Sequence, residues 1–211
     1  MTLLMLFIIL IFSVILHECA HGLAAERCGD PTARQAGRIT LNPIPHLDPI
    51  GSILIPGIMI LMSLVTGSGF IFGWAKPVPI NPYNFNDPKR DMMWVGLAGP
   101  ATNFAVALFL ALVFRLLAIS ASLGAVILFY GITINLILGF FNLIPIPPLD
   151  GSRILTGLLP EEYAYKLSRI EPFGFMILII LFISGIFSFI FTLVLRLSLL
   201  LTGMPLGVLL R

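Results

Sequence analysis

Residues 49–75, 92–114, 116–149 and 172–195 carry no Asp, Glu, Lys or Arg, and neither do the first sixteen residues. About 20 apolar residues carry a helix across the hydrocarbon core. A backbone in lipid must satisfy its own hydrogen bonds, so helices are the spanning element. The pattern predicts helices over residues 2–25, 92–117, 123–141 and 173–201, the last tilted or kinked near Gly185. Gly29, Asp30 and Pro31 should end the first helix. The stretch 50–75 is broken by Pro56 and Gly57 and followed by Pro77, Pro79 and Pro82. It reads as an excursion that re-enters and returns to the same side. Short strands are expected at 38–41 and 70–78, bounded by turn residues. The fold class is therefore an all-α polytopic membrane protein, a helical transmembrane bundle with a small re-entrant or β element near residues 38–80. Residues 1–211 read as one domain, with no internal repeat.

Composition sharpens this picture. Of 211 residues, 58% are hydrophobic and only 10% are charged, against roughly 25% charged in a soluble domain. Mean hydropathy is +1.06. So little charge cannot cover a water-facing surface, and the lipid bilayer is the expected partner. The net charge of +2 and the lack of a basic tract exclude a nucleic-acid partner. The first apolar segment lacks the positive region of a signal peptide and runs directly into histidines, so it is expected to remain as a membrane helix. Cys19 and Cys28 form no CxxC pair and suggest no disulfide framework.

The chemistry begins at His17-Glu18-Cys19-Ala20-His21. Side chains four apart share a helix face, so His17 and His21 converge on one point while Cys19 points away. HExxH on a helix is a zinc-binding pattern with its glutamate as general base. The pattern is short, and in a soluble helix it carries little weight. Here it lies in an apolar helix, where ionisable groups are costly and mark function. A catalytic zinc takes three protein ligands and a water. The candidates for the third are Asp150, Asp48, His46, Glu26 and the pair Glu161–Glu162. Asp150 is favoured: the prolines before it break the helix at the end of a span and free a carboxylate to enter a cavity.

With these elements in place the sequence resembles a known family. His17-Glu18-x-x-His21, paired with Asn142-x-x-Pro145-x-x-Pro148-Leu149-Asp150-Gly151, looks like the site-2 protease family of intramembrane metalloproteases. Gly99-Pro100-Ala101-Thr102-Asn103 matches its GPxxN element, and Phe72–Pro79 is similar to its small members. The resemblance spans roughly residues 5 to 155 and corresponds to a form without PDZ or CBS modules. It implies a metalloendopeptidase binding one zinc per chain through His17, His21 and Asp150. Glu18 would activate the water, Asn142 would assist catalysis, and the substrates would be transmembrane proteins.

Other residues are weighed individually. Asn103 and Asn135 either line a water channel, where they are candidates for substrate binding, or join helices as hydrogen-bonding glue. His46, also a candidate for substrate binding, either gates the site, binds the metal in a resting state or makes an ordinary loop contact. Trp74 suits the membrane interface and is a candidate for substrate contact. Arg27, Arg34 and Arg38 follow the first helix, so the positive-inside rule places the site nearer the cytoplasmic face of a plasma-membrane, multi-pass protein. Two rival functions remain: a metal-binding transporter, which repeat symmetry would signal, and a proteolytically inactive substrate-binding module, which would not need Glu18.

Overall fold

A computed structural model describes residues 2–66, 73–117 and 123–204. Helix α1 runs Thr2–Arg27. It ends where Gly29 takes φ 104° and the Asp30 N–H reaches back to the Ala25 carbonyl at 2.9 Å, a glycine-based helix stop. A short helix α2, Thr32–Gln35, follows. Asp30 is buried. It accepts hydrogen bonds from the Thr32 backbone and hydroxyl, the Asn84 amide and the Asn81 N–H. This one carboxylate therefore ties the end of α1 to a turn some fifty residues later.

Helix α3, Ile55–Thr66, has 12 residues and continues directly from a π-helical turn of 6 residues, Pro49–Leu54; together they reach at most about 27 Å at 1.5 Å per residue. That is short of the roughly 30 Å hydrocarbon core. The chain comes back to where it left. Trp74 N–H donates to the Gly51 carbonyl at 3.1 Å, and the Ser52 hydroxyl donates to the Trp74 carbonyl at 2.8 Å. Gly51 has no side chain because the Trp74 ring lies against its Cα. The excursion beginning at residue 50 thus closes on its own starting point, as a re-entrant element does.

Neither expected strand forms among the described residues. Residues 39–41 are bends, and 73–80 run without ladder pairing; residues 70–72 of the second candidate lie outside the described set. Pro77 and Pro79 explain the latter, because proline has no N–H to give a ladder. The N–H groups that remain at 74, 76 and 78 go instead to Gly51, to the His46 carbonyl and to the Glu18 side chain.

Helix α4, Pro88–Leu116, is capped by Asp87, whose side chain accepts from Arg90 N–H, with Pro88 in the first turn. That cap starts the helix four residues before the apolar run. Helix α5, Leu123–Asn142, stops ahead of Pro145, Pro147 and Pro148. Helices α1, α4 and α5 are each long and apolar enough to cross a membrane. Helix α6, Asp150–Leu158, packs on α4 through Gly96 and Gly157, where a Cβ would press on Arg153 and Met93. Helix α7, Glu161–Ser168, is exposed. The last apolar run is two helices, α8 (Gly174–Ile183) and α9 (Phe187–Thr202). The break at Gly185, with φ 78°, bends the pair by 71°. Helix α4 is central. Its Ala107 and Ala111 meet Ile132 and Leu136 of α5 and Val194 of α9 in the main core, and α1 and α6 cover its other half.

Candidate metal centre

The centre forms where α1, α4 and α6 meet. His17 and His21 lie one turn apart in the second half of α1. Asp150 is the first residue of α6, where the positive helix end favours a carboxylate. His17 Nε2 and His21 Nε2 stand 2.9 Å apart. Asp150 Oδ2 is 3.0 Å from the first and 3.2 Å from the second. All three side chains are buried, and among the described residues they form the one group of three possible metal ligands. The fourth wall is backbone. A Cβ on Gly99 of α4 would stand 2.5 Å from His21 Nε2 and 2.6 Å from His17 Nε2, so only glycine lets α4 approach this closely.

The second nitrogen of each imidazole shows what the first must be. His21 Nδ1 lies 2.7 Å from the Val95 carbonyl, which can only accept, so Nδ1 carries the proton. His17 Nδ1 lies 2.6 Å from Asn103 Oδ1, also an acceptor. In its neutral form each imidazole then presents its Nε2 lone pair to the other ring and to the Asp150 carboxylate, and a metal ion among the three would accept all of them. Partners on the far nitrogen are also the usual second shell of metal-bound histidine. Two imidazoles and a carboxylate match a catalytic zinc set with an open position.

Glu18 adjoins the cluster and is half-buried. Its Oε2 accepts the Val78 N–H at 2.7 Å, which leaves the other oxygen for chemistry. Asp150 Oδ1 faces Arg153 Nη1 at 3.5 Å. The rival carboxylates are engaged elsewhere: Asp48 caps the turn at Ile50 and Gly51, Glu26 pairs with Arg34, and Glu162 pairs with Lys166. Cys19 turns away from the cluster, its thiol toward the Thr40 carbonyl.

The other sequence candidates are spread more widely. Asn103 and Asn135 are fully buried and hydrogen bonded to each other, linking α4 to α5. His46 is buried in the loop after α2, its Nε2 3.0 Å from the Thr40 carbonyl, and lies outside the metal cluster. Trp74 closes the re-entrant element and is partly exposed. Asn142 ends α5, its amide donating to the Leu138 carbonyl one turn back. Sequence reading did not single out the Val95 carbonyl, the Val78 N–H, Ser13 or Arg153. Arg153 carried a signal, being one helical turn after Asp150; the two backbone groups carried none.

A bundle of membrane-long helices enclosing an HExxH helix and a distant aspartate defines a membrane-embedded metalloprotease. Comparison with known proteins agrees. The sequence model of Peptidase family M50 matches residues 117–185. YwhC of Bacillus subtilis is 40% identical over 196 residues, covering 88% of this chain and 83% of its own length. Rip2 of Mycobacterium tuberculosis is 31% identical over 174 residues (82% of this chain, 64% of Rip2). MJ0392 of Methanocaldococcus jannaschii is 29% identical over 185 residues, 87% of this chain and 43% of MJ0392. Each bears the words zinc metalloprotease in its name. No solved structure matches the chain. The chain belongs to peptidase family M50, the site-2 protease family: it is an integral membrane metalloprotease with zinc as its cofactor.

Proposed function

We propose that the chain is an intramembrane metalloendopeptidase that cuts transmembrane protein substrates, with His17, His21 and Asp150 as zinc ligands and Glu18 as general base. The observation that carries this reading is the meeting of those three ligand atoms beside Glu18 within the helical bundle. Zinc held there would supply a Lewis acid for the scissile carbonyl and acidify the attacking water. Glu18 would take the proton of the attacking water and return it to the leaving amine. The Val78 N–H holds one Glu18 oxygen and leaves the other to take the proton.

A transmembrane helix hides its carbonyls in its own hydrogen bonds, so the substrate must unwind before it is cut. The extended segment 73–80 is the natural surface for the unwound chain, with Trp74 at its start. Its edge at residues 74, 76 and 78 is already engaged, and on the other edge Pro77 and Pro79 have no N–H to offer. A substrate strand lying there must therefore use mainly its own N–H groups, donated to the carbonyls of this segment. Asn142 is assigned to steady the substrate backbone, and His46 to hold the loop beside the re-entrant element. Arg27, Arg34 and Arg38 after α1, with Lys89 and Arg90 at the start of α4, support a site nearer the cytoplasmic face of the plasma membrane by the positive-inside rule.

The test is cleavage of a panel of single-span substrates by the purified protein in detergent. Wild type should cut within the span, whereas Glu18→Gln and a chelated sample should not. Equal cleavage by Glu18→Gln with zinc bound would refute the assigned base.

A further inference from the structure

Behind His17 lies a chain of buried polar groups joining three helices, Ser13 on α1, Asn103 on α4 and Asn135 on α5. Its direction is set by backbone carbonyls, which only accept. Asn135 Nδ2 stands 2.9 Å from the Gly131 carbonyl, which fixes the nitrogen on that side of the amide. The same nitrogen donates its second proton to Ser13 Oγ at 2.9 Å, and the Ser13 hydroxyl donates onward to the Ile9 carbonyl at 2.8 Å. Asn135 Oδ1 is therefore the acceptor facing α4, and it takes a proton from Asn103 Nδ2 at 3.0 Å. The other Asn103 N–H faces the Ser13 carbonyl at 3.4 Å. That leaves Asn103 Oδ1 toward His17 Nδ1 at 2.6 Å. Each amide is held against a flip by the next group, and all three polar side chains are almost completely buried.

We infer that Asn135, with Ser13 behind it, is a positioning residue for the metal centre: it locks the Asn103 amide so that His17 keeps its proton on Nδ1 and offers a bare Nε2 to zinc. This rests on the proposed ligand set. Asn135 touches neither metal nor substrate and acts only through Asn103. Freed of Asn135, the Asn103 amide can turn and present N–H to His17, which moves the imidazole proton to Nε2 and blocks a ligand. Loss of such an outer partner commonly lowers metal affinity by about 10- to 100-fold.

The experiment uses the full chain in detergent with Asn135→Leu, Ser13→Ala and the control Thr133→Ala. Thr133 is a polar residue on the same helix, bonded to the Phe129 carbonyl and Ser198 and outside the chain of amides. Two quantities are read: zinc affinity against a competing chelator, and the His17 tautomer in the metal-free protein from its ring 15N shifts. Asn135→Leu should bind zinc about 10- to 100-fold more weakly and lose the pure Nδ1–H form. Ser13→Ala should shift both in the same direction by less, and Thr133→Ala should change neither. Should Asn135→Leu misfold, Ser13→Ala alone decides, since it removes a single oxygen. Wild-type affinity and tautomer in Ser13→Ala and Asn135→Leu would overturn the inference. Zinc binding that survives His17→Ala and Asp150→Asn would overturn the ligand set instead.

Discussion

Gly99→Ala adds one methyl group and should disable the enzyme. The new Cβ would sit 2.5 Å from His21 Nε2 and 2.6 Å from His17 Nε2 and Cε1. An ordinary contact begins at 3.4 Å, and the difference between 3.4 and 2.5 Å means that α1 and α4 must part by about 0.9 Å. The atoms met are not flexible tips. They are ring atoms whose far nitrogens are anchored to Val95 and Asn103. Zinc sites tolerate ligand displacements of about 0.2 Å, and a misplacement of about 1 Å can cost on the order of 100-fold in rate. Zinc affinity and kcat/KM should therefore each fall by at least about 100-fold, while overpacking destabilises the fold by about 1–3 kcal/mol. Zinc content after dialysis, substrate cleavage and a thermal melt measure the three effects. Gly57→Ala, where a Cβ meets nothing within 4 Å, should leave all three unchanged. A Gly99→Ala protein with full zinc and more than half of wild-type activity would refute the packing argument.

Glu18→Gln should lower kcat by about 100- to 10,000-fold, the usual worth of a general base, while zinc stays bound; parallel metal analysis and cleavage assays show both. Arg153→Met removes the cation from Asp150 Oδ1 and should weaken zinc by about 10-fold or less, read by chelator competition. At Asp30, burial alone would push the carboxyl up. The hydrogen bonds from the Thr32 hydroxyl, the Asn81 N–H, the Asn84 amide and the Thr32 N–H outweigh it and hold the carboxyl below its usual range. A depressed carboxylate stabilises the fold fully above its unfolded value of about 3.9, and that contribution is lost as pH falls through the folded value. The melting temperature of wild type should thus exceed that of Asp30→Asn clearly at pH 6 and converge with it below pH 4. A constant gap across that range would show that the Asp30 charge is not what matters.

The spans were legible because a lipid-facing helix leaves its mark on every residue it contains. The charge-free runs located α4 and α5 to within a few residues, and the α4 boundary moved only because the Asp87 and Pro88 start signal precedes the apolar run. The break at Gly185 was visible as a kink, but not its 71° angle, which depends on how α9 seats against α5. Strand-like composition at 73–78 was misleading for a physical reason. A strand needs a partner ladder as well as an extended backbone, and alternate prolines remove the donors that would build one. The segment stays extended, and its surviving N–H groups are distributed to three separate elements.

At the site, legibility follows the kind of group involved. Metal ligands and a general base demand particular side chains, so His17, Glu18, His21 and Asp150 stand out against an apolar background. What aims them is largely backbone, and backbone has no letter in the sequence. The Val95 carbonyl sets the His21 tautomer and the Val78 N–H holds Glu18, yet any residue at 95, and any but proline at 78, offers the same group. Gly99 contributes by lacking a side chain, so its role becomes visible only when the neighbouring rings are in place. The asparagines lie between these cases. Their chemistry allowed either a water channel or interhelical hydrogen bonds, and sequence alone weighed the two equally. The order in which Gly131, Asn135, Ser13, Asn103 and His17 pass donors and acceptors favours the interhelical reading. An amide lining a channel can turn freely toward water, whereas here every turn would set donor against donor at His17.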